Sequence, residues 1–155
     1  MSTSAKPFAV QAAEGIVLKT PTGDTAVVKA GTKQTNGAFS VIELVIGPKQ
    51  GPALHQHSRE DELWFVLDGE FRFKAGGELF PASTGGMAFG PRGIPPCFQN
   101  VGDEAGRLLI ITTPAGLEGF FQDFAAQANP AMLAEIGLAY GVEFVGPPLG
   151  LSDPM

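Results

Sequence analysis

The sequence is poor in the side chains that most often carry chemistry. Its 155 residues include one cysteine, two histidines, one tryptophan and one tyrosine. A single cysteine, Cys97, excludes an intrachain disulfide, so the cysteine content gives no support to secretion. Because both histidines lie in one short segment, no other histidine is available to activate Cys97 as a nucleophile. We therefore expect Cys97 to be a small buried residue of the core.

Positive charge and long apolar runs are also scarce. Ten lysines and arginines face sixteen acidic residues, which gives a formal net charge of −6. Such a chain is repelled by nucleic-acid phosphates and by anionic membrane surfaces. No apolar run approaches a membrane span, and the segment Met1–Pro7 leads into no apolar core of signal-peptide length. These absences predict a cytoplasmic protein that binds neither nucleic acid nor membranes.

Glycine and proline are abundant, at 21 and 13 residues, and 44% of the chain is hydrophobic. The length fits one domain that buries roughly two-thirds of its unfolded surface. Apolar runs separated by turn residues predict ten strands. Asp68-Gly69 also predicts a two-residue hairpin. The predicted strands are Gly15–Lys19, Thr25–Ala30, Ala38–Ile46, Leu54–His57, Glu62–Leu67, Glu70–Lys74, Gly77–Phe80, Met87–Phe89, Cys97–Val101 and Arg107–Thr113.

The pattern changes after Pro114. Apolar residues at helical spacing predict an amphipathic helix over Leu117–Ala128. Asn129 and Pro130 are typical of a helix start, and they predict a second helix that runs to about Tyr140. The segments 146–148 and 152–154 are expected to be irregular. The prediction is one all-β domain, a sandwich or barrel over residues 1–114, with residues 115–155 as a C-terminal helical extension packed on it.

Both histidines lie in the segment His55-Gln56-His57, five residues before Glu62. Imidazole nitrogen is the commonest side-chain metal ligand, and residues two apart in a strand point to the same face. His55 and His57 can therefore converge on one ion, while Glu62 requires a turn through residues 58–61 to join them. The alternative is an exposed polar loop, because His-x-His alone is a weak motif. Strand-like sequence after Glu62 favours the metal site.

The segment from His55 to Gly69 resembles the first motif of the cupin family, G-x5-H-x-H-x3,4-E-x6-G. It matches after the opening glycine, a position that Lys49 occupies here. The resemblance implies a double-stranded β-helix, the jelly-roll barrel, with C-terminal α-helices added. It also implies a divalent ion, Fe, Mn, Ni or Zn, which cupins hold through three histidines and one glutamate. A small cupin with a phenylalanine-rich C-terminal helix is more loosely similar to the quercetin 2,3-dioxygenase-like group.

The second cupin motif, G-x5-P-x-G-x2-H-x3-N, is matched in spacing from Gly85 to Asn100. Pro96 stands where the family keeps its last metal-binding histidine, and proline offers no donor atom. A bulge at Pro95-Pro96 would turn the sulfur of Cys97 to the same face. The remaining set of His55, His57 and Glu62 has the composition of the facial triad of non-haem iron oxygenases. The missing ligand is equally compatible with a weakened or empty site.

Strand alternation places Trp64 on the face of Glu62, and Phe98 on that of position 96. With Phe73 they predict a pocket for an apolar or aromatic small molecule, and Arg92 is a candidate contact for an anionic group. Core packing is the alternative role for each aromatic residue. Two functions remain open: a metal-dependent dioxygenase in which Glu62 is both ligand and proton acceptor, and a non-catalytic small-molecule-binding cupin. Exposed strand edges and the phenylalanine-rich helix favour a homodimer.

Overall fold

A computed structural model describes residues 4–127 and 129–150 of the chain. Within these residues β-strands predominate, and the helices are short. The strands are β1 (Ile16–Lys19), β2 (Thr25–Ala30), β3 (Ser40–Ile46), β4 (Ala53–His57), β5 (Asp61–Asp68), β6 (Glu70–Ala75), β7 (Glu78–Ser83), β8 (Met87–Gly90), β9 (Pro96–Asn100), β10 (Gly106–Thr113) and β11 (Val142–Pro148). The helices are α1 (Thr32–Thr35), α2 (Leu117–Ala125) and α3 (Leu133–Ala139), with a 3₁₀ turn at Pro130–Met132 before α3.

The strands pair antiparallel in two layers of a jelly roll. One layer is a six-stranded sheet in the order β1-β2-β3-β10-β5-β8. The other contains the three-stranded sheet β7-β6-β9 and the ribbon β11-β4. Backbone hydrogen bonds join the ribbon to the region of β9: Gly93 donates to the His57 carbonyl at 2.7 Å, and Asn100 donates to the Gln50 carbonyl at 2.8 Å. The fold is therefore the all-β barrel that the sequence predicts, with short C-terminal helices.

Alternation along the strands builds the core between the layers. In β3, Ile42, Leu44 and Ile46 are buried, and the residues between them are only half-buried. Leu108 and Ile110 of β10 are buried with them by the same alternation. Removing this apolar surface from water is the main stabilising contribution, at about 25 cal/mol per Å².

The predicted hairpin at Asp68-Gly69 is wrong. β5 pairs with β10 and β8, whereas β6 pairs with β7 and β9, so the chain passes from one layer to the other at Gly69. Gly69 has φ +117°, a conformation that side chains rarely adopt. The two-residue hairpin lies instead between β6 and β7, at Gly76 and Gly77, whose φ values are +60° and +89°.

The prediction of irregular structure at residues 146–148 is also wrong, because they belong to β11. This strand pairs with β4, with Val142 opposite His57 and Phe144 opposite His55. Its prolines lie at the far end of an edge strand, where a missing N–H is tolerated. The C-terminal segment is thus helices plus a strand that completes the barrel wall.

Both helices begin where the sequence predicts, but the first helix ends three residues earlier than Ala128, the predicted last residue. α2 ends at Ala125, and the Asn129 side chain accepts a hydrogen bond from the N–H of Ala131 at 3.0 Å, as expected of a helix cap. Residues 152–154 lie outside the described residues. Among the helices described, none is long and apolar enough to cross a membrane.

Candidate metal centre

Two neighbouring strands bring His55, His57 and Glu62 together inside the barrel. The histidines occupy alternate positions of β4, and Glu62 lies near the start of β5, after a turn through residues 58–60. One potential ligand atom from each residue lies within 4.8 Å of the other two. The three residues are 9%, 4% and 3% exposed, so the cluster is enclosed. The turn does bring Glu62 onto the histidine face.

Each histidine is oriented by a hydrogen bond at Nδ1. The Nδ1 of His55 is 2.7 Å from the carbonyl oxygen of Ala53, which can only accept. The Nδ1 of His57 is 2.7 Å from Oε1 of Glu60, a buried carboxylate. These contacts place a proton on each Nδ1, and in the neutral rings Nε2 is then a free donor atom for a metal.

Two polar atoms of the cluster lack hydrogen-bond partners within the described residues. His57 Nε2 and Glu62 Oε2 are both buried and unsatisfied. They lie 2.9 Å apart, which makes them an ion pair when His57 is protonated, although they do not meet the geometry of a hydrogen bond. Burying an unsatisfied polar atom costs roughly 1–3 kcal/mol. A bound ligand or ion that contacts both atoms would remove this cost. Two imidazole nitrogens and a carboxylate oxygen fit a first-row divalent ion.

The charges of the cluster explain its titration. Burial alone would lower the pKa of His57, but the carboxylates of Glu62 and Glu60 more than offset burial and raise the pKa to about 10. Burial and the nearby His57 lower the pKa of His55. Burial would raise the pKa of Glu62, but the positive charge of His57 dominates and lowers it. Without a metal, His57 is therefore protonated at neutral pH, and its positive charge lies between the carboxylates of Glu60 and Glu62, while His55 stays neutral.

The cluster opens onto a cavity of about 540 Å³. This volume lies within the range of pockets that enclose small organic molecules, roughly 300–1,000 Å³. Its walls are mainly apolar, and they come from both layers of the barrel and from the C-terminal segment. Aromatic and aliphatic residues of that segment include Leu117, Phe120, Phe124 and Phe144. The Phe144 ring lies 5.7 Å from that of His55, centroid to centroid.

The four residues expected to contact substrate occupy different environments. Phe98 lines the cavity. Trp64 and Phe73 do not line it; both are 1% exposed, and their rings pack 5.3 Å apart in the core. The indole N–H of Trp64 helps to lower the pKa of Glu62 by a weak interaction with its carboxylate, outside the geometry of a normal hydrogen bond. Arg92 lies on the surface, where its Nε contacts Oδ1 of Asp61 at 3.2 Å.

Pro96 is fully buried, and with the edge of the Trp64 ring it packs against Gly90. Cys97 is buried, as expected of a small core residue. Sequence reasoning missed Glu60 and Phe144. The position of Glu60, three residues after His57, is a local signal that was available. Nothing local indicates Phe144, because its contact with His55 depends on the pairing of β11 with β4.

Comparison with known proteins agrees with this geometry. The family described as "Cupin domain" matches residues 42–112, which include the metal cluster. A comparison with curated protein sequences gives no significant match.

Solved structures of low sequence identity share the fold. An RmlC-like cupin from Shewanella frigidimarina superposes with a TM-score of 0.63 at 14% identity, covering 76% of this chain and 99% of the other. A predicted oxalate decarboxylase from Thermotoga maritima superposes with a TM-score of 0.61 at 19% sequence identity, covering 69% of this chain and 99% of the other. A sugar phosphate isomerase of the cupin superfamily from Silicibacter pomeroyi superposes with a TM-score of 0.53 at 21% identity, covering 61% of each chain. These names do not single out the quercetin 2,3-dioxygenase-like group. The match over residues 42–112, together with the jelly-roll fold, identifies this part of the chain as a cupin domain.

Proposed function

We propose that this protein is a divalent-metal cupin that acts on an apolar or aromatic small molecule, with dioxygenase-type chemistry. His55, His57 and Glu62 would hold iron, manganese, nickel or zinc, and the reaction requires one of the redox-active metals. The observation that carries the proposal is the pair of buried, unsatisfied atoms, His57 Nε2 and Glu62 Oε2, at the wall of a mainly apolar cavity. Atoms of this kind are costly unless a ligand engages them.

The residues of the site have separable roles. The hydrogen bonds from Nδ1 of His55 and His57 fix the tautomer that leaves Nε2 available. Glu62 would supply a carboxylate ligand, and the carboxylate oxygen that does not hold the ion would accept a proton. An ion held by His55, His57 and Glu62 would supply Lewis-acid or redox chemistry. The apolar walls exclude water and strengthen the electrostatic interactions inside.

The composition of the cavity favours an apolar substrate. Oxalate and sugar phosphates, which the names of two structural neighbours mention, are small and strongly polar. Either would leave charge against Leu117, Phe120 and Phe124 of this cavity, and unpaired buried charge is costly. A flavonol or a β-diketone would combine oxygen atoms for the ion with an apolar body for these walls.

Pro96 favours a second candidate function, that of a binding protein without turnover. A site with three protein ligands retains its ion less firmly than one with four. A protein that loses its ion would still enclose an apolar ligand in the same cavity. The two functions share the site and differ in whether loaded protein consumes substrate.

The test is metal analysis of protein purified without a histidine tag, followed by oxygen uptake with iron- or manganese-loaded protein and a panel of flavonols and β-diketones. We expect one ion per chain, lost in His57→Ala, and oxygen uptake that Glu62→Ala abolishes. Glu43→Gln is the matched control, because Glu43 lies on an outward-facing position of β3 and pairs with Arg107 at 2.9 Å. Binding of a panel compound without oxygen uptake would support the second function, and absence of metal binding would contradict the site itself.

A further inference from the structure

We propose that the natural ligand is elongated and amphipathic, with an oxygen-bearing head group at the metal cluster, an apolar body, and a polar far end at the turn between β1 and β2. The head group rests on the proposed function. The length and the second polar end rest on the shape and lining of the cavity alone.

Strand register gives the length. Glu62 lies opposite Thr112 of β10, and Leu44 of β3 lies opposite Leu108. Ile46 lies opposite Gly106, six residues along β10 from Thr112. At about 3.4 Å per residue, the positions of Glu62 and Ile46 are roughly 20 Å apart along the strand direction.

Inward-facing side chains line the cavity along this whole length. The cavity is lined by Glu62, Ile110, Leu44 and Ile46. In the strand register each of them lies two residues of β10 further along than the one before. All four are buried, since strand alternation turns them to the same inner face. The cavity therefore extends along the strands as a channel, a shape that suits a chain or a row of rings.

The two ends of the channel differ in exposure. His55, His57 and Glu62 are at most 9% exposed and form the closed end. At the other end, Thr25 lies opposite Val45, which places the preceding turn beside Ile46. Thr22, Lys49 and Gln50 line the cavity and are exposed, so this end is the mouth.

The mouth carries a group of polar side chains that also line the cavity. The hydroxyl oxygens of Thr20 and Thr22 lie 3.1 Å apart, and Thr20 is 8% exposed. Asp24 stands beside them, and burial raises the pKa of its carboxyl. Hydroxyl and carboxyl groups in these positions can bind a hydroxyl group on a ligand whose head lies at the metal cluster.

The experiment uses straight-chain hydroxamic acids, whose two oxygens chelate metals, with two to twelve carbons. Affinity is measured by calorimetry on zinc-loaded protein and on protein treated with a chelator. We expect affinity to rise about fourfold for each methylene that enters the channel, and then to level off. We also expect an ω-hydroxyl on the twelve-carbon member to strengthen binding severalfold, and Thr20→Val to remove that gain.

Leu44→Phe should block the channel midway. The variant should bind the two-carbon acid as the parent does and lose the gain from longer chains. Val45→Phe is the control, since Val45 is the next residue on the outer face of the same strand. Ile46→Phe, which blocks the channel nearer its mouth, repeats the test if Leu44→Phe does not fold.

The outcomes separate this inference from the proposed function. Chain-length dependence in both metal-loaded and chelator-treated protein would support an elongated ligand, even if zinc gave no gain. An affinity that does not depend on chain length would overturn the inference, even if zinc strengthened the binding of every member. Equal loss of affinity in Leu44→Phe and Val45→Phe would overturn it as well.

Discussion

In the proposed metal site, His57 would couple metal binding to pH. Its pKa is raised to about 10, so at neutral pH a proton occupies the ring and an ion must displace it. His55 has a lowered pKa and contributes no competing proton. Apparent zinc affinity should therefore rise about tenfold per pH unit from pH 7 to 9 and level off near pH 10. Competition against a chromophoric chelator measures this slope.

Glu60→Gln provides the control for this prediction. Glutamine keeps an oxygen that can accept the hydrogen bond from Nδ1 of His57, but it removes one of the two charges that raise the pKa of the ring. The affinity should then level off at a lower pH. A parent protein whose zinc affinity is the same at pH 7 and 9 would contradict the assignment of the proton to His57.

Pro96 offers a test of the incomplete ligand set. Pro96→His should strengthen binding of zinc or nickel by at least tenfold if position 96 faces the ion, because a fourth protein ligand is added. The same titration with Pro96→Ala separates the new ligand from the loss of proline. Equal affinities in the histidine and alanine variants would show that this position does not reach the ion, and would leave the three-residue cluster unaffected.

The metal cluster was predictable at the residue scale because its geometry is mostly local. Alternation within β4 aligns the two histidines, and one turn brings Glu62 to them. Lys49 shows why a family motif and a sequence can differ. Its φ is +62°, a left-handed conformation that glycine adopts freely and other residues adopt at a cost of roughly 1–2 kcal/mol. Its Nζ donates to the carbonyl of Val101 and pairs with Asp103, contacts that glycine does not offer.

At the scale of elements, Glu118 ties the start of α2 to the start of α1. Its carboxylate accepts hydrogen bonds from the N–H and hydroxyl of Thr32 at 2.7 and 2.6 Å, and from the N–H of Gly116 at 2.8 Å. Burial would raise its pKa, but these hydrogen bonds outweigh burial and lower it. The stabilisation is therefore fully present above the unfolded pKa of about 4.3 and is lost as pH falls through the lower folded value.

Glu118→Gln should lower the free energy of unfolding at pH 7 by about 1–2 kcal/mol, a range reduced for its partial exposure. The cost should shrink towards acidic pH, where the parent carboxyl is protonated as well. Urea denaturation at pH 7 and pH 3 checks both statements. Glu135→Gln is the control, since Glu135 lies exposed in the first turn of α3. Equal destabilisation by the two substitutions would contradict a specific role for Glu118.

Most strands were predictable because alternation and turn residues are local signals, as in β2 and β3. Which strands pair with each other was harder to predict, because an Asp-Gly dipeptide can form a hairpin turn or can carry the chain from one layer to the other. Gly69 makes the passage because the apolar faces of β5 and β6 are buried in different layers. β11 was missed because its two prolines and glycine suppress the strand signal, and its partner β4 is distant in sequence.

For the molecule as a whole, the outer face of the six-stranded sheet exposes large apolar side chains. Phe65, Met87 and Phe89 are 38%, 54% and 54% exposed, and Met87 lies opposite Phe65 on the neighbouring strand. Exposed apolar patches of this kind mark interaction surfaces. The phenylalanine-rich helix does not offer the dimer surface expected from the sequence, because Leu117, Phe120 and Phe124 are buried. We propose instead that the outer face of the sheet joins two copies in a symmetric homodimer, an interface that uses the same patch on both chains.

Phe65→Glu should convert that dimer into a monomer, because it would bury charge against its own symmetry mate. Light scattering measures the mass of both proteins. Phe80→Glu is the control, since Phe80 is 44% exposed on β7 of the other layer. A parent protein that scatters as a 16.1 kDa particle at all working concentrations would contradict the proposal.

The pairing of β11 with β4 also has a consequence for the order in which the proposed site is assembled during synthesis. A ribosome adds roughly 5–20 residues per second, so His55 and His57 emerge several seconds before Val142 and Phe144. Until then one edge of β4 has no partner, and its backbone N–H and C=O groups remain exposed to pairing with other chains. A nascent chain that stops before β11 would display the metal ligands without their covering strand. The proposed ion is therefore expected to bind late, after β11 has paired with β4.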